Sequence, residues 1–368
     1  MATQYNQLRA MLAVAKASFK AIFRNPSTVA FSFGFPMVFI LVFGFIGGGA
    51  PTASIALLHQ EDTSSPVIKA LLLNPLIRLA DARDTGKMRE DLIKGRIAAI
   101  LTVESGASEA GIRQFTVHTL TSSASADRYP LVKSALAQVF ENTVETSLNA
   151  KYRPMIVDEL PPVPGRAYTT IDFILPGMLG FSLLSAAVFG VAFLFFNLRQ
   201  QLVLKRYGAT PIAKKYIVIG EGLARVGFQL ITAVVIIGLG RLLFHFTLVH
   251  GWVTFVEMLV LSLIGLIVFM GFGFIISSVA KSESTIPPFA NLFTLPQFLL
   301  GGTFFTVAAF PGWLQKFCEI LPLKQLNDAM RNVAFEGAHL TDCGKQLGIL
   351  LLWGLATYAV AIKVFKWE

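Results

Sequence analysis

NLRQQLVLKRYGATPIAKK, residues 197–215, carries Arg199, Lys205, Arg206, Lys214 and Lys215 and not one acidic side chain. It lies between two apolar runs, Phe173–Phe196 and Tyr216–Gly240. A bilayer core of about 30 Å needs roughly 20 apolar residues per helix, so each run is long enough to cross it. Working outward, four more runs meet or approach that length: Ser27–Gly47, with Pro36 inside it, Val253–Ala280, Ile286–Phe305 and Leu347–Ile362. The last is short, but Lys345 and Lys363 can snorkel to the two interfaces. The N-terminal arm carries Arg9, Lys16, Lys20 and Arg24, again without an acid, so these two segments hold the whole formal charge of +9. Gly49–Arg166, the longest polar region, balances 13 basic against 13 acidic residues. Because Lys and Arg in short loops stay on the cytoplasmic side, the N-terminus and residues 197–215 are expected inside and the neutral region outside. Six crossings return the C-terminus, with Lys363 and Lys366, to the cytoplasm.

Composition points the same way. Hydrophobic residues make up 54% of the chain, charged residues only 14%, and Phe alone accounts for 32 of 368 positions. Soluble domains average about 25% charged residues. The basic balance needs no nucleic acid to explain it: the aromatics lie within the apolar runs, and the basic residues flank them, where anionic lipid headgroups attract positive charge.

The expected architecture is an α-helical membrane protein of six transmembrane helices. Residues 1–26 form a cytoplasmic interfacial elbow helix, since Leu8, Met11, Leu12, Ala15, Phe19, Ile22 and Phe23 recur at helical spacing opposite the basic side chains. Residues 27–48 form the first span, 49–168 an extracytoplasmic α/β domain inserted between the first and second spans, and 169–368 the remaining helices. That last part includes the basic loop 197–215, read as a short amphipathic helix stopped by Gly208, and an external re-entrant hairpin at 306–344. Within the α/β domain, strands are expected at Ser54–Leu58, Ile77–Ala80, Ile97–Val103 and Ile112–Leu120, and helices at Pro66–Leu73, Asp84–Lys94 and Asp127–Ala150. Gly95 stops the second helix, and Pro161–Pro164 reads as a stiff linker.

Most catalytic signatures are missing from the sequence. No G-x-x-x-x-G-K-[ST] phosphate loop occurs, and Gly47–Gly49 has no following Lys and reads as a helix stop. The His residues at 59, 118, 245, 250 and 339 show no metal-ligand spacing, so no metal site is expected. Cys318 and Cys343 can pair in an oxidising compartment, but two cysteines alone do not establish a bond. Glu221 and Arg225, four residues apart in the third span, can neutralise each other on one helix face. Gly177, Gly180, Gly271 and Gly273 permit close helix approach, within the bundle or across a dimer seam.

The segment K-R-x-x-A-T-P-I at Lys205–Ile212, between the second and third spans, resembles the permease subunits of type-2 ATP-binding-cassette exporters. So does Asn291–Val333, with its L-P-L-x-x-x-x-D-A-x-R segment at Leu321–Arg331, as do Phe35-Pro36 in the first span and the insertion after it. The likeness covers nearly the whole chain. One departure is that members of that family usually carry an acidic residue where Asn197, Gln200 and Gln201 open the basic segment here.

The resemblance implies an exporter permease that is not itself an enzyme. It would sit in a bacterial-type inner membrane and be driven by a separate ATPase, which carries the ATP and Mg. Arg199, Leu204, Lys205, Arg206, Tyr207, Gly208, Thr210 and Pro211 would contact that ATPase. Two copies would pair, most simply as a homodimer, with a heterodimer as the alternative, and the external domain would shape cargo release or bind an outer partner. Phe289, Phe293, Phe298, Phe304 and Phe305 are candidates for lining a path for an amphipathic, lipid-like or drug-like cargo. The rival readings are an ion-gradient-driven secondary transporter, for which no internal repeat is visible, and a membrane receptor or assembly factor.

Overall fold

The structure is a computed structural model that describes residues 6–24, 29–46, 53–59, 65–80, 84–107, 113–125, 128–146, 155–163, 165, 169–203, 211–307 and 310–364. The chain divides into two compact units, residues 46–169 and the remainder.

Among the described residues the smaller unit holds a five-stranded sheet in the order β2-β1-β3-β4-β5. Its strands are β1 (Ala53–Leu57), β2 (Ile77–Leu79), β3 (Ala99–Ala107), β4 (Arg113–Thr121) and β5 (Met155–Glu159). β2, β1 and β3 run parallel, β4 turns back antiparallel to β3, and β5 joins β4 in parallel. Side chains alternate across the pleat. Ile55, Leu57, Leu101 and Val117 therefore point to one face, against Val67, Ile68 and Leu71 of α3 (Pro66–Leu72) and Val132 and Leu136 of α5 (Tyr129–Thr146). Ala56 and Ile100 point to the other, against Met88 and Leu92 of α4 (Thr85–Ile93). The Asp84 carboxylate accepts from Gly86 N at 3.2 Å and so caps α4, and Gly95, at φ 68°, ends it in the left-handed region where glycine is unstrained.

One strand, β5, lies outside the elements expected, and residues 161–163, expected as part of a stiff linker, run beside the sheet. Leu160 N donates to Thr119 O at 3.0 Å and Val163 N to Thr121 O at 2.8 Å, which carries the chain on beside β4. Pro161 and Pro162 have no N–H to give, a loss that a sheet edge tolerates.

The larger unit begins with α1 (Gln7–Arg24), the elbow, followed by a π turn at Ala30–Gly34 that runs into α2 (Phe35–Ile46). After the smaller unit come α6 (Thr170–Gln200), α7 (Lys214–Phe244), α8 (Trp252–Val279), α9 (Ile286–Leu300), α10 (Gly312–Cys318), α11 (Pro322–Arg331) and α12 (Gly344–Val364). By length and composition, four segments can cross a membrane among the described residues: Thr170–Gln200, Lys214–Phe244, Trp252–Val279 and Leu340–Val364. The other two expected crossings are shorter helices among the described residues. The first apolar run is helical in a π turn plus α2, and its long apolar helix is only Ser32–Phe43. The run expected over Ile286–Phe305 stops as a helix at Leu300, where Gly301 and Gly302 break it into a turn.

α6 is the buried axis of this unit, packed against α7, α8, α9 and α11. The small residues noted in the sequence serve this packing within one chain. A Cβ on Gly177 would meet Thr303, on Gly180 Asn327, on Gly271 Thr357 and on Gly273 Val191.

Candidate functional site

The basic segment is no separate helix at its start. Asn197–Gln200 form the last turn of α6, and Leu202, at φ 56°, turns the chain away. The Arg199 guanidinium donates to Ala280 O at 3.1 Å, the carbonyl that ends α8, and lies 5.5 Å from the Phe196 ring centre. A cation beside the carbonyl end of a helix is favourably placed. Leu204, Lys205, Arg206, Tyr207, Gly208 and Thr210 lie outside the described residues.

The segment's other end is held by the elbow. Gln7 Nε2 donates to Pro211 O at 2.6 Å, and Gln7 Oε1 accepts from Ala213 N at 2.9 Å, so one carboxamide grips both sides of buried Ile212. α1 then lies along α7. The approach is close because residue 220 has no side chain: a Cβ there would stand 2.8 Å from Met11 O. Two turns along α1 from Met11, the Ser18 hydroxyl donates to Glu221 Oε1 at 2.7 Å, while Glu221 Oε2 pairs with Arg225 Nη1 at 3.3 Å. The ion pair expected from i,i+4 spacing is therefore present, and it has a third member from the elbow.

A second polar cluster lies at the other end of α6. The Arg331 guanidinium donates through Nε and Nη2 to Phe173 O, at 3.3 and 3.0 Å, and through Nη2 to Gly302 O. It also stands 3.8 Å from the centre of the Phe173 ring. Asn327 Nδ2 donates to Gly301 O at 2.9 Å, and Gln297 Oε1 accepts from Leu323 N at 3.1 Å. Together these bonds fasten α11 to α6 and to the turn that ends α9. Buried Lys324 pairs with Asp328 and, at 3.0 Å, with Glu319, which in turn pairs with Lys345 at 2.8 Å. Hydrogen bonds from Lys345 and then Lys324 hold the Glu319 carboxyl below its ordinary range. Burial works against the Lys324 ammonium, but Asp328 and Glu319 outweigh it and the net shift is upward.

The aromatic candidates separate. Phe298 packs on Phe181 at 4.0 Å and Phe304 on Phe39 at 5.6 Å, within one array that also includes Phe35. Phe293 stacks on Phe272 of α8 instead, at 3.6 Å, while Phe289 and Phe305 are exposed. The disulfide is absent. Cys318 and Cys343 are free and buried, and Cys343 belongs to the apolar core of the helical unit, which Cys318 does not join. Burial raises the Cys318 thiol.

Residues 26–363, almost the whole chain, match the family described as ABC-2 family transporter protein. This chain belongs to that family. As an ABC-2 family protein it is a membrane-embedded ABC transporter permease with apolar helices. It is 23% identical over 97% of its length to ABC transporter G family member 20 of Dictyostelium discoideum, and it spans 51% of that protein. It is 22% identical over 98% of its length to linearmycin resistance permease protein LnrN of Bacillus subtilis (strain 168), and covers 100% of it.

Sequence reasoning about this ABC-2 protein missed Gln7, Ser18 and Asn327, and also Ser182 of α6 and Gln229 of α7, whose Nε2 donates to Ser182 Oγ at 2.9 Å. A signal existed for one of them. Glu221, Arg225 and Gln229 recur every fourth residue, which puts three polar side chains on one face of an apolar helix.

Proposed function

We propose that this chain is the membrane-spanning half of an ATP-driven exporter, in which a separate ATPase docks on residues 197–215 and two permeases, most simply identical, enclose the path. The observation that carries this reading is the anchoring of the basic segment at both ends. Arg199 ties its start to α8, and Gln7 ties its end to the elbow, which is itself locked to α7 through Ser18 and Glu221. A push on the segment is thereby delivered to α6, α7, α8 and the elbow together. ATP and Mg belong to the partner, since the sequence has no phosphate loop. ATP binding favours one arrangement of the bundles because the ATPase pair binds the two arrangements with different affinity.

In this reading the chain crosses the membrane six times. The π turn with α2 serves as the first crossing and α9 as the fifth, the termini and residues 197–215 are cytoplasmic, and residues 49–168 lie outside, where they bind an outer partner or shape release. The one-sided distribution of Lys and Arg supports that orientation. An inner membrane of bacterial type is the proposed location. The cargo is amphipathic and lipid-like or drug-like, supported by the apolar spans and by a relative named for resistance to linearmycin.

The test is affinity purification in mild detergent, followed by transport in reconstituted vesicles. The wild type is expected to recover an ABC ATPase, and Lys205→Glu with Arg206→Glu is expected to lose both the ATPase and export. Failure to recover an ATPase, together with export untouched by the double substitution, would refute the reading and favour an ion-driven carrier.

A further inference from the structure

Pro36 has no N–H, so the Ser32 carbonyl, four residues earlier, loses the donor that an α-helix would supply. The backbone just before Pro36 opens into the π turn Ala30–Gly34, a form that recurs at functional positions in helices. The vacant place is filled from outside the helix: the Ser182 hydroxyl of α6 donates to Ser32 O at 3.2 Å. Ser182 Oγ in turn accepts from Gln229 Nε2 of α7 at 2.9 Å. Three helices therefore meet at one hydroxyl, and both Ser182 and Gln229 are almost completely buried.

Each member has a Phe beside it in sequence, and these rings interlock. Phe35 stacks on Phe181 at 4.9 Å, and Phe33 meets Phe228 edge-on at 5.9 Å. The bonds are thus enclosed by apolar rings. Within that enclosure one polar atom has no hydrogen-bond partner: Gln229 Oε1. Buried carbonyl oxygens rarely remain so, because the lost hydration is not replaced. Ser182 has a single proton and two acceptors that can claim it, since a half-turn of the Gln229 carboxamide places Oε1 where Nε2 now stands.

We propose that Ser182 and Gln229 are positioning residues for transport, a latch that holds the π turn before Pro36 against α6 and frees it when the Ser182 proton passes from Ser32 O to Gln229 Oε1. Ser182 keeps the latch shut and Gln229 provides the acceptor that lets it open. The consequence for transport rests on the function proposed above; the latch itself does not.

The experiment uses the full chain in lipid nanodiscs, with Cys318 and Cys343 replaced by Ala and spin labels at two exposed positions, Val42→Cys on α2 and Leu242→Cys on α7. Pulsed electron resonance reads the distance distribution between them. One hydrogen bond sets the scale, so Ser182→Ala is expected to raise the population of a second, released distance about fivefold. Ser182→Thr, which keeps a hydroxyl, should restore the wild-type distribution. Gln229→Leu removes the released-state acceptor and should give the latched distance alone. In a Pro36→Ala background, residue 36 regains an N–H that satisfies Ser32 O, and Ser182→Ala should then change the populations less than about twofold. An equal effect of Ser182→Ala in both backgrounds, no second distance in Ser182→Ala, or release by Gln229→Leu would overturn the latch. The measurement needs no ATPase, so a chain that shows this pattern yet transports nothing would refute the transport reading and leave the latch standing.

Discussion

The Ser18 hydroxyl donates to Glu221 Oε1 at 2.7 Å, joining two residues 203 positions apart and fixing the elbow against a carboxylate that already neutralises Arg225. Because Glu221 and Arg225 are both largely buried, neither charge is well hydrated if its partner is removed. Ser18→Ala deletes a hydrogen bond and keeps the pair, and it should cost about 1 kcal/mol. Glu221→Leu strands the Arg225 guanidinium and should cost about 3–5 kcal/mol. Thermal unfolding in detergent, with the double variant included to measure non-additivity, checks both. Equal losses from the two single variants would mean that the ion pair is not the stabilising element.

The Lys345–Glu319–Lys324 cluster gives a pH dependence whose sign follows from the shifts. Glu319 is held below the ordinary glutamate value of about 4.3, so its stabilising contribution is present above that pH and disappears as pH falls through the depressed folded-state value. Lys324 is shifted up from about 10.4, so its contribution is present below that pH and is lost only as pH rises through the raised value. Thermal stability of the α10–α12 region should therefore be flat across neutral pH and fall on acidification. Glu319→Gln should lower the neutral plateau and flatten the acid limb. An acid limb unchanged by that substitution would assign it to other carboxylates.

Charge and hydropathy made the bundle legible because they act through long runs. The basic stretch 197–215 and three helices of 28 to 31 residues announce themselves without knowledge of packing. Glu221–Arg225 was legible because i,i+4 spacing fixes proximity on any helix. Ser182 and Ser32 stand 150 residues apart, Gln7 and Pro211 204, and nothing local marks a serine or glutamine as the partner of a distant carbonyl. β5 escaped for a related reason. Met155–Glu159 ends in two acids and runs into Pro161-Pro162, so it becomes a strand only through the edge that β4 offers. The length of α9 was over-read because hydropathy continues through Gly301-Gly302 to Phe305, whereas the helix ends where Asn327 captures the Gly301 carbonyl.

Gly180 should not tolerate a side chain. A Cβ at that position would stand 2.2 Å from Asn327 Oδ1, and Asn327 cannot retreat without giving up its bond to Gly301 O. Gly180→Ala is expected to destabilise the chain by about 1–3 kcal/mol through overpacking. Asn327→Ala removes the obstacle and the hydrogen bond together, so the two substitutions should be strongly non-additive. Additive losses in the double variant would show that the two residues do not oppose each other.

Arg331 tests whether the second cluster depends on charge or on shape. Its planar fork reaches Phe173 O and Gly302 O at once and lies against the Phe173 ring, a set of contacts that a lysine ammonium on a flexible stem cannot reproduce. Asp328 keeps Lys324 as a partner when residue 331 changes, so the cost of a substitution falls mainly on the two carbonyls. Arg331→Lys retains the charge and should still lose about 1.5–3 kcal/mol, the range for hydrogen bonds to a charged group. Exchange of the backbone amides around residues 301–305 should quicken in the same variant, because the turn that ends α9 loses its tie to α6. If Arg331→Lys behaves as wild type in both unfolding and exchange, the fork geometry is irrelevant and positive charge alone holds α11 in place.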